Sequence, residues 1–186
     1  NFVLATDADV IIVDPEREYA PLVRALGGEV IEISAISPNH INAMDIMDMN
    51  SAYGEGDPVA EKSQFLQSVC EQIITGHKFA KGQQSIIDRC TATVYQRYRK
   101  SEFGGKTPTL NDFREELLRQ PEQEAKDLAL ELEIFTRGSL NTFAQQTNVN
   151  TRNRLICYDI LELGEQMMGI GMLVILDSIL NRITQN

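Results

Sequence analysis

VIIVDPEREY, residues 10–19, joins an unbroken apolar run to an acidic turn that carries a proline. Val10 to Val13 shows no polar alternation, which is the pattern of a strand covered on both faces in a parallel sheet. Asp14 then supplies an N-cap, Pro15 suits a first helical position, and Glu16 and Glu18 place negative charge at the positive end of a helix dipole. A helix is therefore expected from this turn to Gly27 and Gly28, which would stop it. EVIEI, residues 29–33, supplies the next strand. Strand, helix and strand in that order predict a right-handed βαβ unit, and hence an α/β sheet.

Working outward, residues 34–57 have loop character, with SPNHINAMDI followed by the turn-rich YGEGDP and with Met44, Met47 and Met49 between. Beyond Pro58 the apolar period becomes helical. Phe65, Leu66, Val69, Ile73 and Ile74 form one stripe, and Ile86, Ile87, Cys90, Val94 and Tyr98 form another. After Gly104, Gly105 and Pro108, Thr109 and Asp112 offer a loose capping box for a short helix lined by Leu110, Phe113, Leu117 and Leu118. Pro121 opens a further helix, with Ala125, Leu128, Leu132 and Phe135 on one side, running toward a stop at Gly138. The polar stretch 141–153 leads into RLICYDI, residues 154–160, a second strand of the buried type. A last helix is expected from Glu162 to about Thr184, with Met167, Ile170, Val174 and Leu180 among its apolar positions and Asp177 and Arg182 on a polar edge. The expected architecture is an α/β core, residues 1–57 and 152–186, interrupted by an all-helical insertion, residues 58–151.

Composition narrows the functions available. The 186 residues are 42% hydrophobic, enough for a substantial core, and the net charge is −10. A surface of that sign repels phosphate backbones, so direct nucleic-acid binding is not expected. Cys70, Cys90 and Cys157 include no CxxC pair and are expected to be reduced, buried thiols. His40 and His77 have no second ligand at metal spacing, so no metal site is expected, although carboxylates could still contact a nucleotide-borne magnesium. The longest apolar run, residues 170–176, falls short of the roughly 20 residues that span a bilayer, and no secretory signal opens the sequence. A soluble, cytoplasmic location is the expectation. No GxxxxGK[ST] phosphate loop and no GxGxxG turn occurs between Asn1 and Asn186, which disfavours an unrelated dinucleotide-binding enzyme.

The segments VIIVDPEREYAPLVRALGGEVIEIS, SPNHINAMDI, SIIDRC, GSLNTF with QTNV, and NRLICYDILELG occur in an order that resembles the conjugative-transfer ATPases of type IV secretion systems, the TraE/TraC-like group. The resemblance implies a partial RecA-like parallel sheet of the P-loop NTPase type with an all-α insertion. It implies a motor that energises transfer of DNA or protein through a membrane channel. The chain would be the central piece of that domain, with the phosphate loop before Asn1 and the acidic pair for magnesium after Asn186. ATP and magnesium would then serve the full-length protein, and no hydrolysis is expected of this chain alone. The implied partners are a coupling protein, inner-membrane channel proteins and, at full length, further copies of the same protein. The implied location is the inner face of the cell membrane. Ala43 stands where the family tends to have proline, and Leu180 where it tends to have tryptophan. The competing expectation is a non-catalytic adaptor built on a degenerate ATPase fold.

Candidate site residues follow from position. Asp14 and Glu16 lie at the carboxyl end of a parallel strand, where open α/β sheets place ligands. Helix capping competes for Asp14, so Glu16 is the better candidate for orienting water. Asn42 and Asp45, in the loop after the second strand, are expected on the same edge and could line a nucleotide site, against the alternative that each bonds its own backbone. His40 is a weak acid–base candidate beside Pro38. Arg152, Arg154 and Arg182 are candidates for the arginine that ring ATPases present to a neighbouring phosphate, against the alternative of plain surface cations. The methionine cluster reads as core filling rather than a partner surface. Arg97 to Lys100, with Tyr95 and Tyr98, read as charge suited to a helix end rather than a nucleic-acid patch.

Overall fold

The computed structural model describes residues 8–46, 56–74 and 78–185. Three parallel strands form the sheet, in the order β1 (Val10–Asp14), β3 (Leu155–Asp159), β2 (Glu29–Glu32). The strand that returns after the long helical segment is thus the central one, and it separates β1 from β2. This placement decides burial. All five residues of β3 are buried, whereas β1, with a hydrogen-bonded neighbour on one side only, is half-buried up to Asp14. The burial on both faces expected of Val10 to Val13 belongs instead to ICYD of β3.

Helix α1 is shorter than the turn signals suggest, covering only Ala20–Ala25. Pro21 is the cause. Inside a longer helix it would lack an N–H to donate and would crowd the carbonyl of Arg17, so it is tolerated only in the first turn. The chain from Pro15 to Tyr19 bends instead, with Arg17 at φ 58°. At its other end α1 stops as expected. Gly27 takes φ 75°, and Gly28 N–H donates to Val23 O at 2.9 Å. Gly28 also lets α1 approach the sheet, since a Cβ there would lie 2.6 Å from Leu155 Cγ and 2.7 Å from Val23 Cγ1.

The helical segment comprises α2 (Pro58–Ile73), α3 (Lys81–Arg99), α4 (Leu110–Arg119), α5 (Gln123–Glu131) and α6 (Glu133–Thr136). Asp57 caps α2 by accepting from Val59 N–H at 3.0 Å. Thr109 is the N-cap of α4, and Asp112 bonds back to it, accepting from Thr109 N–H at 2.7 Å and Thr109 Oγ1 at 2.9 Å. The apolar stripes fall largely where their spacing puts them, but two positions depart. Leu118 is 45% exposed, one residue beyond the buried Leu117 and turned off its face. The single helix expected after Pro121 is two, divided at Leu132, with Leu132 itself still buried.

Helix α7 (Glu165–Gln185) buries Met167, Ile170 and Val174, while Leu180 is 62% exposed. Six residues beyond Val174, Leu180 sits roughly 120° off that arc. By length and composition, Glu165–Ile183 is a helix apolar enough to cross a bilayer, although no uninterrupted apolar run in it is that long. In the fold one side of it faces the core.

One hydrophobic cluster joins Ile31, Ile156 and Tyr158 of the sheet to Leu66, Ile87 and Phe113 of the helical segment and to Ile170 of α7. A smaller cluster on the opposite sheet face gathers Val23, Leu155 and Cys157. The alternation of residues 155 to 158 between the two clusters is the pleat of a central strand. Residues 34–46, expected as a plain loop, bury Ile41, Asn42, Ala43 and Met44 in the larger cluster's neighbourhood. Met44 therefore packs as core. Met47, Met49 and His77 lie outside the described residues.

Candidate functional site

The strand ends bring acids together. Asp14 pairs in register with Asp159, and Asp159 with Glu32, so the last residues of all three strands form an acidic row across the carboxyl edge of the sheet. Asp14 is buried, and its carboxylate accepts from Tyr19 N–H at 2.8 Å and Glu18 N–H at 3.2 Å. It closes the bent turn rather than opening a helix at Pro15. Burial alone would raise its pKa, but backbone donors of Tyr19, Glu18, Glu16 and Ala20 outweigh burial and hold it below the ordinary 3.8. The Cys157 thiol lies behind it, with Sγ 3.8 Å from Asp14 Oδ2. Burial, with the Asp14 charge next, pushes that thiol up to about 11. Cys70 and Cys90 are likewise free and buried, each pushed up to about 12 by burial.

Each of the other two acids has its own arginine. Arg17 Nε donates to Asp159 Oδ2 at 2.5 Å, and its Nη1 reaches Glu162 Oε1 at 3.1 Å. Asp159 Oδ1 accepts from Leu161 N–H at 3.2 Å. Arg24 Nη2 donates to Glu32 Oε1 at 2.6 Å. The hydrogen bond to Asp159 comes first among the causes that hold the Arg17 guanidinium more firmly protonated than usual. Glu16 projects from the tip of this turn, exposed to solvent.

The other sequence candidates are elsewhere. Asn42 and Asp45 do not share the carboxyl edge with Asp14. After β2 the chain runs back beneath the helices, and both residues line a cavity of about 190 Å³ with Thr151 and Arg152, just before β3, and with Asp177, Asn181 and Arg182 of α7. Asn42 is committed to the protein: its Nδ2 donates to Pro108 O at 2.9 Å, and its Oδ1 accepts from Met44 N–H at 3.0 Å. Asp45 Oδ2 accepts from Thr147 Oγ1 at 2.5 Å. Arg182 donates to Asp9 Oδ2 at 2.5 Å and to Thr151 O at 2.6 Å, at the amino end of the sheet. Arg154 is at the same end, donating to Ala8 O at 3.2 Å. His40 is half-buried, and its main chain is held by Asn148.

The candidates thus divide into a carboxyl-edge group, Asp14 and Glu16, and an amino-end group. Five participants at the carboxyl edge escaped sequence reading: Arg17, Arg24, Glu32, Asp159 and Glu162. Asp159 had a legible signal, since ICYD repeats the apolar-run-then-aspartate pattern of IIVD. Arg17 had none, because its role depends on a positive φ. Asp14 and Asp159 have both their oxygens engaged within the chain, and among the described residues no group of three or more His, Cys, Asp or Glu could hold a metal ion. The described residues of the carboxyl edge therefore do not make up a magnesium site.

No protein-family model matches this chain, and no curated protein does. Among solved structures, VirB4 of Thermoanaerobacter pseudethanolicus superposes with a TM-score of 0.77 at 20% sequence identity, over 96% of this chain and 70% of that one. The fold is an α/β fold with a parallel sheet and a large helical segment, and it is the fold seen in VirB4.

Proposed function

We propose that the chain is the central part of a RecA-like ATPase domain of a type IV secretion motor, related to VirB4 and to the TraE/TraC-like ATPases. The observation that carries this reading is the likeness to VirB4 over nearly the whole chain. The ordered motifs from VIIVDPEREY to NRLICYDILELG agree with it. In this reading residues 58–151 are the helical insertion, and residues 1–57 and 152–186 are parts of the ATPase core. The insertion shares a hydrophobic cluster with the core, so it is packed as part of the domain rather than as a tethered module.

The carboxyl edge of the sheet is the side we assign to the nucleotide. Glu16 is an exposed carboxylate of that turn, and is our candidate for contact with attacking water. Asp14 shapes the turn that carries it. A phosphate loop and a magnesium-holding acidic pair would come from segments beyond residues 1–186 of a longer protein, which would act at the inner face of the membrane with other secretion components and further copies of itself. Asn42 and Asp45 are withdrawn from the nucleotide side by their place in the cavity. Arg154 and Arg182 remain candidates only for an intersubunit contact at the amino end.

Titration calorimetry with Mg-ATP tests the reading of this chain as an incomplete nucleotide site. The 186-residue chain should give no saturable micromolar heat. Micromolar binding would show that a complete site exists within these residues, and would overturn the assignment of the phosphate-binding segments to a longer protein.

A further inference from the structure

Lys62 is buried on α2 at 4% exposure, which is rare for a lysine without a dedicated partner. Its Nζ donates to Asp177 Oδ2 of α7 at 2.6 Å and to Ala43 O at 3.4 Å, and it stands 4.6 Å from the centre of the Phe65 ring. Asn181 Nδ2 also donates to Asp177 Oδ2, at 3.1 Å, and reaches Asp45 O at 3.3 Å. Asp45 faces the same cluster from residues 41–46, with Thr147 as its hydrogen-bond donor. From α3, Tyr95 OH closes the back by donating to Met44 O at 2.6 Å. Three separate segments thus place two half-buried carboxylates and one buried ammonium in one site.

The charges do not balance. With both aspartates ionised, one negative charge is left over. The nearby Arg182 is turned toward Asp9 and Thr151 O, and Arg152 is exposed at the rim of the cavity. That cavity, walled by Asp45, Asp177 and Asn181, gives water a route to the surplus carboxylate. A buried ion cluster seldom adds net stability over an apolar replacement, and its best-attested use is as a register or switch element.

We propose that Lys62, Asp45 and Asp177 form a proton-sensitive latch between α2 of the helical segment and α7 of the core, closed by uptake of one proton on the carboxylate pair and loosened by its loss. This inference is independent of the assignment of the carboxyl edge to a nucleotide. Burial lifts both aspartates above their ordinary range, only partly offset by Thr147 for Asp45 and by Lys62 for Asp177. Burial likewise pushes Lys62 down, and it is the chief cause that raises Tyr95. A carboxyl raised on folding adds stability as pH falls through its folded value, and the gain is complete at the unfolded value of 3.8. Acidification therefore tightens the seam.

Amide hydrogen exchange on the full chain, corrected for intrinsic pH dependence, tests the latch. From about pH 7.5 down to about pH 4, amides of α2 and α7 should slow progressively relative to those of α4 and α5, the total approaching about tenfold for each unit by which the carboxyl is raised. Asp45→Asn should abolish this relative slowing. Lys62→Met leaves the two carboxylates unopposed and should enlarge it. The latch is overturned if α2 and α4 respond by the same factor, or if Asp45→Asn keeps the wild-type response. If Lys62→Met does not fold, Asp45→Asn, which preserves shape, decides alone.

Discussion

Asp14 shows how one residue type can be read correctly and placed incorrectly. Its sequence context announces a capping acid, and it does accept backbone N–H groups, but those of Glu18 and Tyr19 across a bend instead of those of a helix starting at Pro15. The difference lies in Pro21 and in the left-handed Arg17, a conformation that no propensity for arginine suggests. Asp14→Ala should destabilise the fold by about 1–3 kcal/mol, because buried donors lose their acceptor. Since the Asp14 pKa is lowered on folding, its contribution is present above 3.8 and fades as pH falls below that. Urea melts of wild type and variant should therefore converge toward acid pH. A constant difference down to acid pH would point to lost packing instead. Arg17 allows a second comparison. Arg17→Ala and Arg17→Gly both remove the pairs to Asp159 and Glu162, but only glycine relieves the positive φ, so the alanine variant should be less stable by about 1 kcal/mol.

At the scale of elements, the helical stripes were the most legible part, because burial of Leu66, Ile87, Phe113 and Leu128 follows from spacing alone. Strand identity was legible too, whereas strand order was not. Nothing in VIIVD or LICYD says which is central, since that depends on where a chain returns after more than a hundred residues, and burial of β3 follows from that return. The same blindness to long-range return put Asn42 and Asp45 on the wrong end of the sheet. The close seat of α1 on β3 is a further consequence of tertiary geometry, and Gly28 permits it. Gly28→Ala should cost about 1–3 kcal/mol by driving a methyl group into Leu155 and Val23. Thermal denaturation measures it, and a neutral result would mean that α1 can lift off the sheet without loss.

At the scale of the whole molecule, the sheet carries two differently used ends. The carboxyl edge holds a row of acids with Arg17 and Arg24 as counter-ions and with Glu16 at the exposed tip. The amino end holds Arg154 and Arg182 beside the start of β1. Beside that amino end the Lys62 cluster ties the helical segment to α7. The likeness to VirB4 establishes the fold at 20% identity, and the chemistry has to be tested on the protein itself. The most direct measurement is the rate of Mg-ATP hydrolysis by the protein encoded by the complete native reading frame, with and without Glu16→Gln. The account predicts turnover by the native protein and a loss of about 10²- to 10⁴-fold in the variant with its fold intact. A native protein that neither binds nor hydrolyses ATP would contradict the motor reading and leave a non-catalytic adaptor in its place.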